Sequence, residues 1–522
     1  MKTSLPRLLV LALALALASP AAEGATFRYA ANADLLGLDP YINNEGITNA
    51  MKGNLYEGLL TRRYDLALQP ALATEWARAN PETWRFRLRE GVRFHDGMPF
   101  TADDVLASFA RITQDQSVYR AAMASIREVR KLDDLAVEIV TKAPDAMLDQ
   151  ALPVFFIMCK RWLEANGTEH VLRGSNAATY ANANENGTAP FRLLRRNADG
   201  RTVLEPHAGW WGKPEHNLTR AVFRPIPDPE QRLQALLTGQ VDMAYPVSAH
   251  DAPKLAKVGI RVITAPDLRT VFLGFDAFRE EALDLKGTGR NPFRDRRVRE
   301  AFQKAIDIEA LHHDVMRGLS RPTGSMIAPG IDGYSPKLYH PAAYDPEGAR
   351  ALLQEAGFGN GFPVTLDCTN DRYDNDEAIC QRVALMLARI GITVKLNLQP
   401  RSAYFEKASA RGGNNTSFFL LGWTPTTFDG LNALTSLMMQ NGGANFGRYA
   451  NSRIDHLARK AAHEQDPGRR RELIEQALAI HKQDVGHIPL HQQVLAWGVR
   501  PTVADIKSRP WNDVDLRWVV MK

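Results

Sequence analysis

The chain has 522 residues, of which 45% are hydrophobic and 24% are charged, and its formal net charge at pH 7 is +5. These proportions are typical of a globular protein and exclude a disordered chain, and the length is sufficient for roughly two to four domains. Three cysteines are too few for a disulfide scaffold. The longest run of basic residues is only three residues long, at 469–471 in a helical pattern, and this is typical of a solvated helix face and not of a nucleic-acid-binding patch.

The N-terminus has the pattern of a secretory signal peptide. Lys2 and Arg7 are positively charged, residues 8–18 are an unbroken run of Leu, Val and Ala, and small residues follow. This pattern predicts cleavage after Ala21 or Gly24, so that residues 1–24 are a leader. No cysteine lies near the cleavage region, and no second apolar run reaches the length of a membrane-spanning helix. We therefore expect a periplasmic protein that is not a lipoprotein.

The first clear secondary-structure signals lie between residues 83 and 112. Residues 83–94 alternate between apolar and mainly basic side chains, with an interruption at Gly91, which predicts a half-buried strand. A turn at residues 95–97 follows. Thr101 and Asp104 then have the spacing of a capping box, which predicts that a helix begins there.

Later segments repeat a helix–strand alternation. The dipeptides Asp228-Pro229 and Asp345-Pro346 each have the pattern of a helix start. Strands are predicted at residues 241–245, 364–368 and 393–398, and a helix is predicted at about residues 376–389. This alternation indicates α/β lobes with mixed sheets.

The cysteines allow one disulfide hypothesis. Cys368 and Cys380 stand close together in a chain that is predicted to be exported, so that a bridge between them is one interpretation and two buried thiols are the other. Cys159 lies in an apolar run and is predicted to be part of the core.

Several longer motifs are distinctive in combination. Residues 72–112 contain WRFRLREGVRFHDG followed by TADDV; the others are GTAPFRL at 187–193, FRPIPDPEQRLQALLTGQVDMAY at 223–245, RRVREAFQKAIDIEAL at 296–311, YDPEGARALLQEAGF at 344–358, RIGITV, and the dipeptide Gly422-Trp423. Together they resemble family 5 of the ABC-importer solute-binding proteins, the oligopeptide, dipeptide and nickel-binding group. The matches cover nearly the whole mature chain.

This resemblance implies a type II periplasmic-binding-protein-like fold, in which two α/β lobes with mixed sheets are hinged at two crossing strands. The large lobe would comprise residues 25–269 and 484–522, with an extra subdomain at about residues 65–186, and the small lobe would comprise residues 270–483. The lobes would close around a peptide or peptide-like solute. The monomer would then dock on a permease and ATPase complex in the inner membrane, without a cofactor.

The resemblance also implies ligand-binding residues around Gly422-Trp423. Trp423 matches the tryptophan that lines the family's cleft, although a lone tryptophan is also typical of a core. Peptide-binding relatives have an aspartate three residues later that pairs with the ligand's amino group, and this chain has Thr426 there. The nearest carboxylate is Asp429, which could simply belong to a turn. A ligand without a free amino group is therefore an open alternative.

A second candidate is the loop TNDRYDNDEAIC after Cys368, which follows a predicted strand and precedes a predicted helix. Arg372 could bind a carboxylate in bidentate fashion, and Tyr373 offers a ring and a hydroxyl. A solvated loop is the alternative interpretation.

The sequence disfavours two other functions, catalysis and direct binding of a metal ion. The sequence contains neither the G-x-S-x-G nor the H-E-x-x-H motif, so that we expect a binding protein and not an enzyme. His312 and His313 are adjacent on a predicted helix and would point about 100° apart, which disfavours a shared metal ion. A non-peptide solute or a nickel-type metal chelate, held through its organic part, is the alternative ligand.

Overall fold

The computed structural model describes residues 24–172, 179–248, 250–409, 412–425, 427–507 and 514–522. The predicted signal peptide, apart from Gly24, lies outside the described residues, as does Thr426. Among the helices in the described ranges, none is both long and apolar enough to span a membrane.

The described residues form a mixed α/β fold. In chain order the strands are β1 (Ala25–Ala31), β2 (Leu60–Arg62), β3 (Leu68–Pro70), β4 (Ala73–Asn80), β5 (Thr83–Leu88), β6 (Ile126–Asp133), β7 (Ala136–Thr141), β8 (Phe191–Arg196), β9 (Thr202–Pro206), β10 (Leu218–Pro225), β11 (Met243–Ala244), β12 (Arg261–Phe275), β13 (Ser320–Pro322), β14 (Pro363–Thr369), β15 (Thr393–Gln399), β16 (Phe418–Trp423), β17 (His487–Val499), β18 (Val503–Ile506) and β19 (Val519–Met521). The helices are α1 (Gly46–Leu55), α2 (Ala102–Ile112), α3 (Leu148–Ala151), α4 (Lys160–Ala165), α5 (Tyr180–Ala183), α6 (Pro229–Leu237), α7 (Ala252–Lys257), α8 (Arg296–Ala305), α9 (Ile308–Ala310), α10 (Pro336–Tyr339), α11 (Pro346–Glu355), α12 (Asp376–Ala388), α13 (Arg401–Ala408), α14 (Gly430–Ala433), α15 (Ser452–His463) and α16 (Pro467–Gln483).

One mixed sheet runs through the whole molecule. Its strand order is β15-β14-β16-β12-β17-β11-β1-β10-β9-β8, and β13 pairs with β17 beside this path. The long antiparallel pair β12–β17 occupies the middle, so that it connects a group of strands from the first half of the chain to a group from the second half. We call these groups the N-terminal half and the C-terminal half of the sheet. The lobe boundaries given above remain a prediction.

A separate sheet is formed by strands that lie between β1 and β8 in the chain. Strands β4, β5, β7 and β6 form an antiparallel four-stranded sheet. The strand predicted at residues 83–94 is confirmed for β5 but ends earlier than expected, because Gly91 has φ +74° and the chain turns there. The predicted capping box of Thr101 and Asp104 is confirmed at the start of α2.

The C-terminal half of the sheet is buried on both faces. One face packs against α8, α11 and α12 through a cluster that includes Phe302, Leu353 and Ile379. The other face packs against α13, α15 and α16 through a cluster that includes Tyr404, Ile454 and Ile474. Burial on both faces explains the continuous apolar run at the start of β16, because parallel strands covered on both sides read as unbroken hydrophobic segments.

Candidate functional site

The carboxyl ends of several strands meet where the two halves of the sheet join. In the C-terminal half, β14 runs parallel to β15 and β16. In the N-terminal half, β1 runs parallel to β10 and β11. Loops at the carboxyl ends of parallel strands are where α/β sheets place their ligands. The site is therefore built from the loops after β11, β14 and β16, together with the strands β12 and β17 that pass between them.

A bulge in β12 places two charged side chains at this edge. Pro266 pairs with Val494 and Thr270 with Gln492, so that residues 267–269 stand opposite Gln493 alone. Bulges of this kind re-aim side chains at binding sites. Nη1 of Arg269 lies 3.6 Å from the carboxylate of Asp267 and donates to Oε1 of Gln493 at 3.4 Å. Asp267 is buried, whereas the Arg269 side chain remains 27% exposed.

Asp374, in the loop after β14, completes this cluster. Nε2 of Gln493 donates to Oδ2 of Asp374 at 3.2 Å, so that one amide contacts both the guanidinium of Arg269 and the carboxylate of Asp374. Burial raises the pKa of Asp374, and the negative charge of Asp267 adds to this effect. Burial also raises the pKa of Asp267, against the opposing effect of Arg269. The cluster therefore contains two carboxylates and one guanidinium.

Tyr373 and Trp423 provide the aromatic part of the site. The backbone N–H of Gly422 donates to the Tyr373 hydroxyl at 2.8 Å, and the Tyr373 side chain is buried. A Cβ at Gly422 would lie 2.7 Å from the Tyr373 ring and 3.0 Å from Cδ of Arg269, so that a glycine is required for this close approach. Trp423 is half-buried, and its indole N–H donates to Oδ1 of Asn432 at 3.1 Å.

The loop after β14 is held firmly at both ends. Cys368 and Cys380 form a disulfide that joins the end of β14 to α12. Asp376 accepts from the hydroxyl of Thr369 at 2.7 Å and from the backbone N–H of Arg372 and of Tyr373. These contacts fix the backbone that carries Tyr373 and Asp374. The side chain of Arg372 is exposed, with its guanidinium 5.8 Å from the centre of the Tyr373 ring.

Asp429 has a partner of its own. Its carboxylate lies 2.6 Å from Nη2 of Arg470, and both side chains are buried. It also accepts from the backbone N–H of Leu431 at 2.7 Å at the start of α14. This arrangement uses the charge of Asp429 within the protein. Thr426, the other residue predicted for this loop, lies outside the described residues.

Tyr245 directly follows β11 in the N-terminal half. Burial raises the pKa of Tyr245, and the carboxylates of Asp374 and Asp267 raise it further, which places this ring within electrostatic reach of both. The ring packs against Trp497 with 5.8 Å between centroids. Behind it lies a mainly apolar cavity of about 30 Å³, whose lining includes Tyr29, Leu35, Met51, Phe223, Tyr245 and Trp497.

Sequence reasoning selected Arg372, Tyr373, Trp423, Thr426 and Asp429, and the structure brings Tyr373 and Trp423 together through Gly422. It did not select Asp267, Arg269 or Gln493, because neither β12 nor β17 was predicted as a strand. Asp374 lies within the second candidate loop, but nothing in the local sequence indicated its contact with a residue 119 positions away.

The described part of the chain contains no preformed site for a metal ion. There, no group of at least three His, Cys, Asp or Glu side chains is arranged so that it could hold an ion. Nδ1 of His312 is engaged at 2.9 Å with the hydroxyl of Ser320.

The chain is similar in sequence to known proteins over most of its length. The family described as bacterial extracellular solute-binding proteins, family 5 Middle, matches residues 67–445. The glutathione-binding protein GsiB of Escherichia coli (strain K12) is 26% identical over 465 residues, which cover 87% of this chain and 86% of that protein.

Solved structures resemble more than nine-tenths of the chain. The periplasmic binding protein DppA from Helicobacter pylori, in complex with the peptide STSA, superposes with a TM-score of 0.75 at 24% identity, covering 95% of this chain and 98% of that one. NikZ from Campylobacter jejuni, in complex with Ni(L-His), superposes with a TM-score of 0.76 at 18% identity, covering 93% and 96%. The fold is therefore that of the periplasmic binding proteins, and the predicted fold class is confirmed.

Proposed function

The chain belongs to family 5 of the bacterial extracellular solute-binding proteins, and from this premise we propose that it captures a peptide or peptide-like solute for an ABC importer. The observation that carries the proposal is the cluster of Arg269, Asp374, Tyr373 and Trp423 at the edge where the strand ends of both halves meet. Charged groups that fix orientation, beside aromatic rings that cover apolar parts, are what a site for a small organic solute requires.

Capture follows from closure of the two halves about β12 and β17. A ligand that contacts Tyr245 on one side and Tyr373 on the other binds the closed arrangement more tightly than the open one. That difference in affinity shifts the population towards closure. An affinity in the micromolar range, about 8 kcal/mol of binding free energy, is sufficient for a scavenging importer.

A peptide ligand places a specific demand on this site. Peptides bind in such clefts largely through backbone hydrogen bonds, which resembles the addition of a strand. A free ammonium needs a carboxylate partner once it is buried. Thr426 offers no charge at the position implied by the resemblance, and Asp429 is paired with Arg470. Another carboxylate must therefore meet the ammonium, and Asp374 is available beside Tyr373.

A metal chelate is the second candidate, because the solved complex of NikZ contains nickel with histidine. Such a ligand would bind through its organic part, with Arg372 meeting a carboxylate and Trp423 covering the rest. The protein purified with such a ligand would absorb visible light, whereas a peptide complex would be colourless.

The remaining parts of the proposal concern location and partners. The leader pattern at residues 1–24 supports export to the periplasm by cleavage of a signal peptide. The closed complex would be recognised, as a monomer, by a permease and ATPase complex of the inner membrane. We assign the protein a binding role without turnover of its solute.

The deciding experiment is native mass spectrometry of the protein expressed in the periplasm, followed by denaturing release and identification of the bound compound. Short peptides or peptide-like compounds support the proposal. A coloured chelate or another single non-peptide compound would replace the peptide by the second candidate. A protein that carries no solute and binds none from a panel of peptides and chelates would overturn the binding role.

A further inference from the structure

Arg269 has binding capacity that the protein does not use. Of its guanidinium nitrogens, only Nη1 makes polar contacts within the described part of the chain, and these are long: 3.4 Å to Gln493 and 3.6 Å to Asp267. Hydrogen bonds from a guanidinium to a carboxylate normally measure about 2.7–2.9 Å. Its Nε and Nη2 have no hydrogen-bond acceptor among the described residues, and the side chain is partly exposed at the edge shared by the two halves. A carboxylate could therefore approach this guanidinium in bidentate geometry.

Asp374 has the complementary capacity. Its side chain accepts one hydrogen bond, from the neutral amide of Gln493 at 3.2 Å, and among the described residues no Lys or Arg forms an ion pair with it. The guanidinium of Arg269, which contacts the same amide of Gln493, lies 3.6 Å from the buried Asp267. A carboxylate in such surroundings is stabilised by an incoming cation, since burial without a partner is costly.

Gln493 fixes the spacing of the two charged groups. Its amide oxygen faces Arg269, and its amide nitrogen faces Asp374. The oxygen and nitrogen of an amide are about 2.2 Å apart. With contacts of 3.4 Å to Arg269 and 3.2 Å to Asp374, Nη1 of Arg269 therefore lies at most about 8.8 Å from Oδ2 of Asp374. When an ammonium and a carboxylate are attached to the same carbon and each makes one hydrogen bond to the protein, the two protein atoms that bind them are about 8 Å apart. This upper limit accommodates such a group, and a guanidinium beside a carboxylate supplies the two opposite charges that the group requires.

We propose that Arg269 and Asp374 together bind a zwitterionic amino-acid head group, with the ligand's carboxylate on Arg269 and its ammonium on Asp374. This inference rests on the proposed function and specifies the ligand class. It gives Asp374 the role of the ammonium partner that Thr426 cannot fill. Tyr245 adds a ring and a hydroxyl from the N-terminal half, within electrostatic reach of Asp374.

Ordinary peptides and side-chain-linked peptides differ in this head group. In an α-linked peptide the first residue has its ammonium beside a neutral carbonyl. In a γ-glutamyl peptide the same carbon bears a free ammonium and a free carboxylate, and the chain continues from the side chain. The isomers α-Glu-Leu and γ-Glu-Leu have the same composition and differ in this respect, so that they form a matched pair of probes.

The test is isothermal titration of ligand-stripped protein with each isomer. We expect γ-Glu-Leu to bind at least about tenfold more tightly than α-Glu-Leu, which corresponds to about 1.4 kcal/mol. Arg269→Gln should remove this preference by weakening only the γ isomer. Asp374→Asn should weaken both isomers, because both carry the ammonium.

Matched controls come from an exposed ion pair between β8 and β9, which stand at the end of the strand order farthest from the C-terminal half. Arg201 and Asp199 lie 3.4 Å apart, and their side chains are exposed. Arg201→Gln and Asp199→Asn make the same changes in charge and should leave both affinities and the preference unaltered. Far-UV circular dichroism and thermal unfolding of each variant would establish that loss of binding is not loss of fold.

The outcomes separate this inference from the proposed function. Equal affinity for the two isomers, tighter binding of α-Glu-Leu, or a preference that persists in Arg269→Gln would overturn the head-group inference while leaving a peptide carrier in place. The protein could also bind neither isomer at about 1 mM and yet carry another solute in native mass spectrometry. That result would overturn the head-group inference and leave the proposed function in place. Absence of any bound solute would count against the proposed function itself.

Discussion

The carboxylate of Asp429 lies 2.6 Å from the guanidinium of Arg470, and the two side chains are 5% and 4% exposed. This buried pair joins the loop after β16 to α16. Burial raises the pKa of Asp429, and the contact with Arg470 opposes that effect. The carboxylate closest in sequence to the expected ligand position thus stabilises the C-terminal half.

Asp429→Asn tests this structural role. We expect the free energy of unfolding to fall by about 3 kcal/mol, because removal of one partner leaves the charge of Arg470 buried without full compensation. Affinity for the co-purified solute should stay within about twofold of the unaltered protein at temperatures where the variant is folded. Urea denaturation and titration calorimetry measure the two quantities. A large loss of affinity with unchanged stability would return Asp429 to the ligand site.

Trp423→Ala tests the aromatic wall. The indole is half-buried at the end of β16, beside the Tyr373–Gly422 contact. We expect affinity for the co-purified solute to fall at least about tenfold with the fold retained, since the ring would no longer cover the ligand. Trp162→Ala is the control, because Trp162 is also partly buried but packs against Tyr180 in the N-terminal half. Unaltered affinity in Trp423→Ala would assign this ring to the core.

The disulfide between Cys368 and Cys380 provides a third prediction. Removal of both thiols in Cys368→Ala/Cys380→Ala opens a link with a sequence separation of 12 residues. We expect a loss of about 2–4 kcal/mol in the free energy of unfolding, and weaker ligand binding because the loop bearing Tyr373 and Asp374 is less constrained. Cys159→Ala, which removes a buried free thiol, should leave ligand affinity unchanged. Equal stability with and without dithiothreitol would contradict the prediction.

Acid should destabilise the protein through buried histidines. Burial lowers the pKa of His491 to about 4 and the pKa of His487 to about 3. The unfolded chain binds protons below a pH of about 6.5, whereas the folded chain keeps these rings neutral, so that stability is complete above that pH and decreases below it. The free energy of unfolding should therefore fall between about pH 6.5 and pH 4, by up to about 1.4 kcal/mol per pH unit for each histidine.

Variants separate the histidine effect from that of the carboxylates. Urea denaturation of His491→Gln over the same pH range should show a shallower decline than the unaltered protein, because one proton-linked site is removed. His463→Gln, at an exposed position on α15, should leave the slope unchanged. Identical slopes in all three proteins would show that His491 is not the group responsible.

The export prediction is tested at the N-terminus. Intact-mass analysis of protein from the periplasmic fraction should show a chain that begins after Ala21 or Gly24. Lys2→Glu/Arg7→Glu, which reverses the charge ahead of the apolar run, should reduce export. An uncleaved chain found only in the cytosol would contradict the predicted leader.

Features governed by short stretches of sequence were predicted well. The alternation in β5, the capping box at Thr101 and the strands β14 and β15 each depend on residues that are neighbours in the chain. The family was recognised from motifs that belong to this scaffold, and the match over residues 67–445 confirms it. Local sequence failed at residues 92–94, where an apolar alternation continued beyond the turn at Gly91.

The sequence by itself therefore determined the class of protein and those elements that have strong local signals, because amphipathic periodicity, caps and turns are local properties. The tertiary structure alone decided how charges are paired at the site. Gln493 forms hydrogen bonds with Arg269, which is 224 positions away in the sequence, and with Asp374, which is 119 positions away. These contacts depend on the bulged register of β12 against β17. No local pattern specifies which distant strand becomes a neighbour, because register is set by the packing of both faces of the completed sheet.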